Sequence, residues 1–209
     1  MRKLYLLLVA LFIISICAAL ADDVQFPPWD RGGERTTYQR WEFYTDNSSP
    51  SADELLNPYG SPLVTLSGAT WSQLLDNHVG VWSVPNSMSI RIPNAPDHKD
   101  WTKALWVQLT WEYAPTAAPI VRVDGVVGTL VNEVPVSTPA GQTWLHSTYM
   151  IALPYNPEFE TVEVVGTFNL DELVIDTICT YDPVPEPSGV VSMACGLGGL
   201  AALVLRRRK

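Results

Sequence analysis

The stretch at residues 105–113, Leu-Trp-Val-Gln-Leu-Thr-Trp-Glu-Tyr, decides the fold class. Apolar side chains recur in it at every second position: Leu105, Val107, Leu109, Trp111 and Tyr113. A period of two places alternate side chains on opposite faces of a β-strand. The stretch is therefore predicted to be a strand that turns one face toward the core.

The same alternation recurs between Asp22 and Asp182, where no helical period of 3.6 persists beyond about a dozen residues. Residues 120–123 and 126–130 flank Asp124-Gly125, a dipeptide that predicts a hairpin with a two-residue turn. Closely spaced strands joined by loops rich in Pro and Asn are typical of two-sheet folds. We predict an all-β, two-sheet β-sandwich for residues 22–182.

Two local departures from regular strands are expected. The apolar positions change from even to odd numbers around Asp171-Glu172, as one extra residue in a β-bulge would cause. A short helix is predicted near residues 71–77, and a helical turn is predicted at residues 51–56.

Composition limits the classes of protein to consider. The chain has 209 residues, of which 47% are hydrophobic and 17% charged, so it is neither a disordered chain nor a coiled coil. Residues 22–182 contain seven basic and 21 acidic residues, which gives this part of the chain a net charge of −14. Such an acidic surface repels phosphate, so nucleic acid is excluded as a partner.

The N-terminus has the three parts of a secretory signal peptide. Met1-Arg2-Lys3 is basic, residues 4–17 are apolar, and Ala19-Leu20-Ala21 is a small-residue cleavage site. Residues 1–21 are therefore predicted to be a signal peptide that is removed during export. A membrane anchor is the alternative interpretation of the same run.

The C-terminus also has three parts. Prolines stiffen the spacer that ends in residues 184–188, residues 189–205 carry no charge, and residues 206–209 are basic. The uncharged run is predicted to be a transmembrane helix, and the basic end is expected to stay in the cytoplasm. Residues 22–182 would then face outward.

This tail, residues 183–209, resembles the PEP-CTERM sorting signal of bacterial envelope proteins. The resemblance rests on the motif Pro185-Glu186-Pro187, the glycine-rich apolar segment and the terminal basic cluster, in that order. It implies a membrane-embedded exosortase as the processing partner and a place in the cell envelope or extracellular matrix. A permanent single-pass anchor uses the same residues without cleavage.

Residues with catalytic chemistry form no recognisable motif in the sequence. The three histidines, His78, His98 and His146, lack metal-ligand spacing and are expected on the surface or in loops. Cys179 is the one cysteine between residues 22 and 182, so no internal disulfide is possible there, and it is expected to point inward. The sequence thus predicts no enzyme, with a secreted glycan hydrolase or lyase as the alternative.

Eight tryptophans lie between residues 22 and 182, and most are expected in the core. Trp106 alternates with Leu105 and Val107, so the strand pattern places it on the face opposite the core. Trp101 follows a polar loop. Because sugar rings stack on exposed aromatic rings, Trp101 and Trp106 are the predicted carbohydrate-binding residues.

Residues 169–173 resemble the terminal strand of jelly-roll carbohydrate-binding modules, and residues 38–43 resemble their first strand. The resemblance implies that the all-β fold is a jelly-roll-like two-sheet β-sandwich. It also implies a structural Ca²⁺ held by Glu42 and Asp171, and carboxylates suit this ion. An exposed bulge without an ion is the alternative. With the tail, this favours an exported envelope or matrix protein that binds polysaccharide, and the further alternative is a purely structural surface protein.

The tail gives the first testable prediction. Replacing Pro185-Glu186-Pro187 with alanines should leave a full-length, membrane-bound precursor to accumulate, because a processing enzyme must grip an extended peptide. A plain anchor would tolerate the change. Mass spectrometry of the mature protein from its native host should find no Arg206–Lys209; a C-terminus that still ends in Lys209 would contradict processing.

Overall fold

Alternating apolar residues build two antiparallel β-sheets in the computed structural model, which describes residues 23–95, 101–112, 117–136 and 144–181. The predicted signal peptide, residues 1–21, and the predicted tail, residues 183–209 with Pro185, Glu186 and Pro187, lie outside the described residues. Within the described part of the chain, no helix has the length and apolar character needed to cross a membrane.

The described residues form thirteen strands. Their bounds are β1 Thr36–Trp41, β2 Glu54–Leu56, β3 Leu63–Thr65, β4 Thr70–Leu75, β5 His78–Val84, β6 Ser87–Pro93, β7 Thr102–Glu112, β8 Ile120–Val123, β9 Val126–Val127, β10 Thr129–Val136, β11 Trp144–Leu153, β12 Phe159–Val165 and β13 Phe168–Thr180. The large sheet has the order β10-β11-β7-β13-β1-β2, with β5 also paired to β13 and β4 paired to β5. The small sheet has the order β3-β6-β12-β8-β9.

The core lies between the two sheets, and strands β7, β13, β6 and β12 supply much of it. In the large sheet Ile175 pairs with Val107, and in the small sheet Val162 pairs with Ile90; all four side chains are buried. Trp111, a member of the alternating run that predicted the strand, is also buried. The predicted all-β sandwich is thus confirmed at the level of two packed antiparallel sheets.

The hairpin and the bulge are both present. Val123 pairs with Val126, and the two turn residues Asp124 and Gly125 have positive φ angles of 46° and 86°, as a type I′ turn requires. The β7–β13 register shifts between Leu170 and Glu172, so the even-to-odd change in the sequence is a bulge.

Both predicted helical segments are wrong. Residues 71–77 fall in β4 and in a tight turn at Asp76-Asn77, where both residues have positive φ and Leu75 pairs with His78. Residues 51–56 contain the edge strand β2, which pairs with β1. A helical period over six or seven residues is a weak signal, and pairing with a neighbouring strand overrides it.

Glycine is required where β5 passes the end of β1. Gly80 has φ +85°, and a Cβ there would overlap the backbone oxygen of Phe43. That oxygen also accepts a hydrogen bond of 2.9 Å from Trp71 Nε1, so it is held in place. Gly125 has a similar φ of +86° but nothing within 4 Å of its Cβ position.

These two glycines form a matched pair for a stability test. Gly125→Ala should cost about 1 kcal/mol, the left-handed backbone penalty alone. Gly80→Ala should cost about 2 kcal/mol more, because the backbone near Phe43 must move. Urea unfolding of both variants measures the difference, and equal midpoints would show that the approach of β5 to β1 is not tight.

Candidate functional site

An open groove lies on the outer face of the small sheet, where β3, β6 and β12 run side by side. Its volume is about 370 Å³, within the range of small-molecule sites. The described residues lining it are Tyr59, Ser61, Leu63, Arg91, Pro93, Asn94, Glu158 and Phe159. The groove thus combines two aromatic rings, one cation, one carboxylate and several neutral hydrogen-bonding groups.

Sheet register brings the principal side chains of the groove together. Arg91 pairs with Leu63 across β3–β6, and Phe159 pairs with Pro93 across β6–β12. The Arg91 guanidinium carbon lies 3.5 Å from the centroid of the Phe159 ring, a cation–π contact. Both side chains are exposed, so one edge of this stacked pair faces solvent.

The loop that carries Tyr59, another residue lining the groove, is held by local hydrogen bonds. The Asn57 side chain accepts a bond of 2.9 Å from the Tyr59 backbone N–H and donates one of 3.1 Å to the Pro93 carbonyl. This Asx turn ties the loop to the end of β6. The loop that carries Tyr59 is therefore fixed to the backbone at the end of β6.

The floor of the groove leads into a buried polar cluster between the sheets. Asn94 is 3% exposed, and its side-chain amide contacts both Lys103 and Glu160. Lys103 comes from the large sheet and Glu160 from the small sheet; both side chains are 0% exposed, with Lys103 Nζ 3.5 Å from Glu160 Oε1. Lys103 Nζ also lies 3.4 Å from Cys179 Sγ, which donates to Asn156 Oδ1 at 3.2 Å.

Electrostatics in this cluster follow from burial. Loss of water raises the pKa of Glu160 to about 7, although the neighbouring Lys103 opposes the shift. Burial likewise raises the pKa of the Cys179 thiol, again against the influence of Lys103. Cys179 points inward as predicted, and it does so into a polar cluster.

Sequence reasoning missed Lys103 and Glu160. A signal was present, because each charged residue is in phase with core positions of its own strand: Lys103 with Leu105, and Glu160 with Val162. A charged residue that falls on the core-facing positions of a strand is expected to be buried, and a buried charge requires a partner.

Of the two residues predicted to bind carbohydrate, Trp106 is buried and Trp101 is half-buried. Trp106 lies on the face opposite the core, as expected, but it is 5% exposed and its Nε1 donates to the Gln25 carbonyl at 2.9 Å. The N-terminal segment thus covers the ring. The Arg35 guanidinium lies 4.1 Å from the centroid of the Trp101 ring and covers one of its two faces. The strand pattern gives the face of the sheet but not what packs on that face.

The same segment is fixed by ion pairs. Arg31 Nε donates to Asp176 Oδ1 at 2.6 Å, and Arg31 Nη2 donates to Asp23 Oδ1 at 2.9 Å. Asp23 accepts a further bond of 3.0 Å from Gln108 Nε2. Burial raises the pKa of Asp176 to about 6, despite the opposing effect of Arg31.

The two predicted calcium ligands each have a protein partner. Glu42 contacts Arg40 and accepts a bond of 2.9 Å from Tyr44 Oη, whereas Asp171 lies 2.6 Å from His78 Nδ1. Within the described ranges, no group of three or more His, Cys, Asp or Glu residues is placed to hold a metal ion. The calcium site of Glu42 and Asp171 stays a prediction.

The expectation of surface histidines is wrong for His146. It is 1% exposed, with Nδ1 3.0 Å from Thr110 Oγ1 and Nε2 3.2 Å from Gln108 Oε1. Burial lowers its pKa, against a smaller opposing effect of Asp23. His98 lies outside the described residues.

The groove offers stacking surfaces beside charged and neutral hydrogen-bonding groups, which is the chemistry that binds polyhydroxylated ligands. Comparison with known proteins finds no match, whether to a family model, to a curated protein or to a solved structure.

The raised carboxyl pKa values predict how stability depends on pH. Glu160 and Asp176 bind protons more tightly in the folded than in the unfolded chain. The stability that this protonation adds to the folded protein is therefore present at low pH and is lost as pH rises toward 7. Glu160 alone should reduce the free energy of unfolding by up to about 3 kcal/mol over this range. Thermal unfolding between pH 4.5 and 7.5 measures the effect.

Glu160→Gln should flatten this pH dependence. Glu163→Gln is the matched control, since Glu163 lies on the same strand with its side chain 38% exposed and beside Arg122. The Glu163→Gln variant should show the same change of stability with pH as the wild-type protein. Identical slopes in all three proteins would show that Glu160 does not titrate in this range.

Proposed function

We propose that residues 22–182 form an exported domain of the cell envelope or extracellular matrix that binds polysaccharide in the groove of the small sheet. The observation that carries the proposal is the Arg91–Phe159 stack, which lines an open groove together with Tyr59. Sugars present apolar C–H faces to rings and hydroxyls to charged groups, and this groove supplies both.

The number of carboxylates that line the groove favours binding of a glycan over its hydrolysis. Glycoside hydrolysis uses two carboxyl groups that flank the scissile bond. Among the described residues that line the groove, Glu158 is the one carboxylate, because Glu160 points to the opposite face of β12. A glycan hydrolase or lyase therefore remains the alternative with less support.

The proposal retains the export route expected from the sequence. Residues 1–21 would direct secretion, and residues 183–209, with a transmembrane helix at 189–205, would be handled by an exosortase-like enzyme. A jelly-roll-like arrangement of the two sheets and a structural Ca²⁺ at Glu42 and Asp171 belong to the same proposal.

Glycan-array binding by the purified protein tests the function. Phe159→Ala and Tyr59→Ala should each weaken binding about 3- to 30-fold, the range for one aromatic contact. Tyr155→Ala is the matched control, because Tyr155 is a 41% exposed aromatic residue near β12 that does not line the groove.

Three outcomes separate the alternatives. Loss of binding with Phe159→Ala and Tyr59→Ala, but not with Tyr155→Ala, supports the groove. Release of reducing sugar from a bound glycan would indicate the hydrolase instead. No binding to any glycan would contradict the proposal and favour a purely structural surface protein.

A further inference from the structure

The buried cluster below the groove contains the three groups needed to form an amide bond between side chains: an amine on Lys103, a carboxamide on Asn94 and a carboxyl on Glu160. We propose that Lys103 Nζ and Asn94 Cγ become joined in an intramolecular isopeptide bond, with release of ammonia and with Glu160 carrying the proton. The inference does not depend on polysaccharide binding.

Geometry brings nucleophile, electrophile and proton carrier into contact. Lys103 Nζ contacts Asn94 Oδ1, and the Asn94 amide nitrogen contacts Glu160 Oε2. Glu160 Oε1 lies 3.5 Å from Lys103 Nζ, so one carboxyl reaches both the attacking amine and the leaving amide nitrogen. Groups held together in this way react as if at very high concentration.

The electrophile is fixed by its own hydrogen bonds. Asn94 donates from its backbone N–H to the Glu158 carbonyl at 2.9 Å, and its side-chain amide donates to the Pro157 carbonyl at 3.0 Å. The chain that leads into β12 therefore holds Asn94 beside Glu160. Lys103 approaches from the facing sheet, where β7 pairs it with Leu153 and Cys179.

Burial favours the protonated form of the Glu160 carboxyl. A charged Lys103 and a charged Glu160, both 0% exposed, carry a large desolvation cost. In the proposed reaction Nζ first gives a proton to the Glu160 carboxylate, and the neutral amine that results is nucleophilic. The raised pKa of Glu160, about 7, shows that its surroundings favour the protonated acid. In addition, Glu160 Oε1 has no hydrogen-bond partner among the described residues, and Nζ is its ion-pair contact.

The reaction balances without an oxidant or a cofactor. The neutral Lys103 amine attacks Asn94 Cγ and forms the new C–N bond, and the bond from Cγ to Nδ2 then breaks. The protonated Glu160 gives its proton to Nδ2 and then takes one from the attacking Nζ, so it ends as the neutral acid that was present when the attack began. The amine and the carboxamide thus become one secondary amide and one molecule of ammonia, a loss of about 17 Da.

The bond would tie the two sheets together covalently. Lys103 begins the core-facing row of β7 in the large sheet, and Asn94 directly follows β6 of the small sheet. The described part of the chain has one free cysteine, Cys179, and no disulfide to do this. Unlike a disulfide, such a link would not be broken by reducing agents, which is an advantage for an exported domain.

Peptide mass spectrometry of the purified, unfolded protein tests the proposal. Without the bond, trypsin should release residues 92–99, 100–103 and 104–122 as separate peptides. With the bond, residues 92–99 should appear joined to residues 100–122, about 17 Da lighter than the two peptides together, because trypsin does not cleave after an acylated lysine. Fragmentation of this species should place the link at Asn94 and Lys103.

Two variants assign the roles of the residues. Lys103→Met removes the amine but keeps an apolar chain of similar length, and Glu160→Gln keeps the shape of the carboxyl without its acid. Both should abolish the linked peptide while circular dichroism confirms the strand signal. If either variant does not fold, the linked peptide in the wild-type protein still decides whether the bond exists.

Other results would overturn the proposal. Three separate tryptic peptides of unmodified mass from the folded wild-type protein would show that no bond forms. The loss of about 17 Da on residues 92–99 alone would indicate that Asn94 closes to a cyclic imide on its own backbone. A linked peptide that persists in Glu160→Gln would refute the role of Glu160 as proton carrier.

Discussion

β13 hydrogen-bonds to β7 along most of its length, and both faces of this pair of strands are buried. On one face Leu173 and Ile175 pack into the core between the sheets. On the other, Val174 and Asp176 are buried as well, in a region that the N-terminal segment closes through Arg31. With both faces covered, every polar side chain on the two strands must find a partner within the protein.

This requirement explains the polar groups that the large sheet carries. Asp176 holds Arg31, Gln108 bonds to Asp23, and His146 lies against Thr110. Each of these contacts replaces a hydrogen bond to water that burial removed. The N-terminal segment is thereby part of the domain and not an appendage, since its ion pairs satisfy side chains in the middle of the sheet.

The same requirement has a chemical consequence between the sheets. Lys103 and Glu160 occupy core positions where apolar residues would cost less, and Asn94 is their common contact. A buried ion pair of this kind is weak support for stability, so its retention calls for another explanation. The proposed amide bond between Lys103 and Asn94, with Glu160 as the proton carrier, would provide one. The nearby groove is different, because its side chains stay in contact with solvent and remain available to a ligand.

Sequence alone determined the features that depend on local pattern. The alternation of residues 105–113, the turn at Asp124-Gly125 and the bulge at Asp171-Glu172 all follow from backbone geometry, which a short stretch encodes. Tertiary structure decided the rest: Trp106 is covered by a segment about 80 residues away, and Arg91 meets Phe159 only through the register of β6 and β12. The contacts among Lys103, Asn94 and Glu160 join strands from two sheets. A periodic pattern specifies which face a side chain is on, but its partner on that face depends on how distant strands pair and stack.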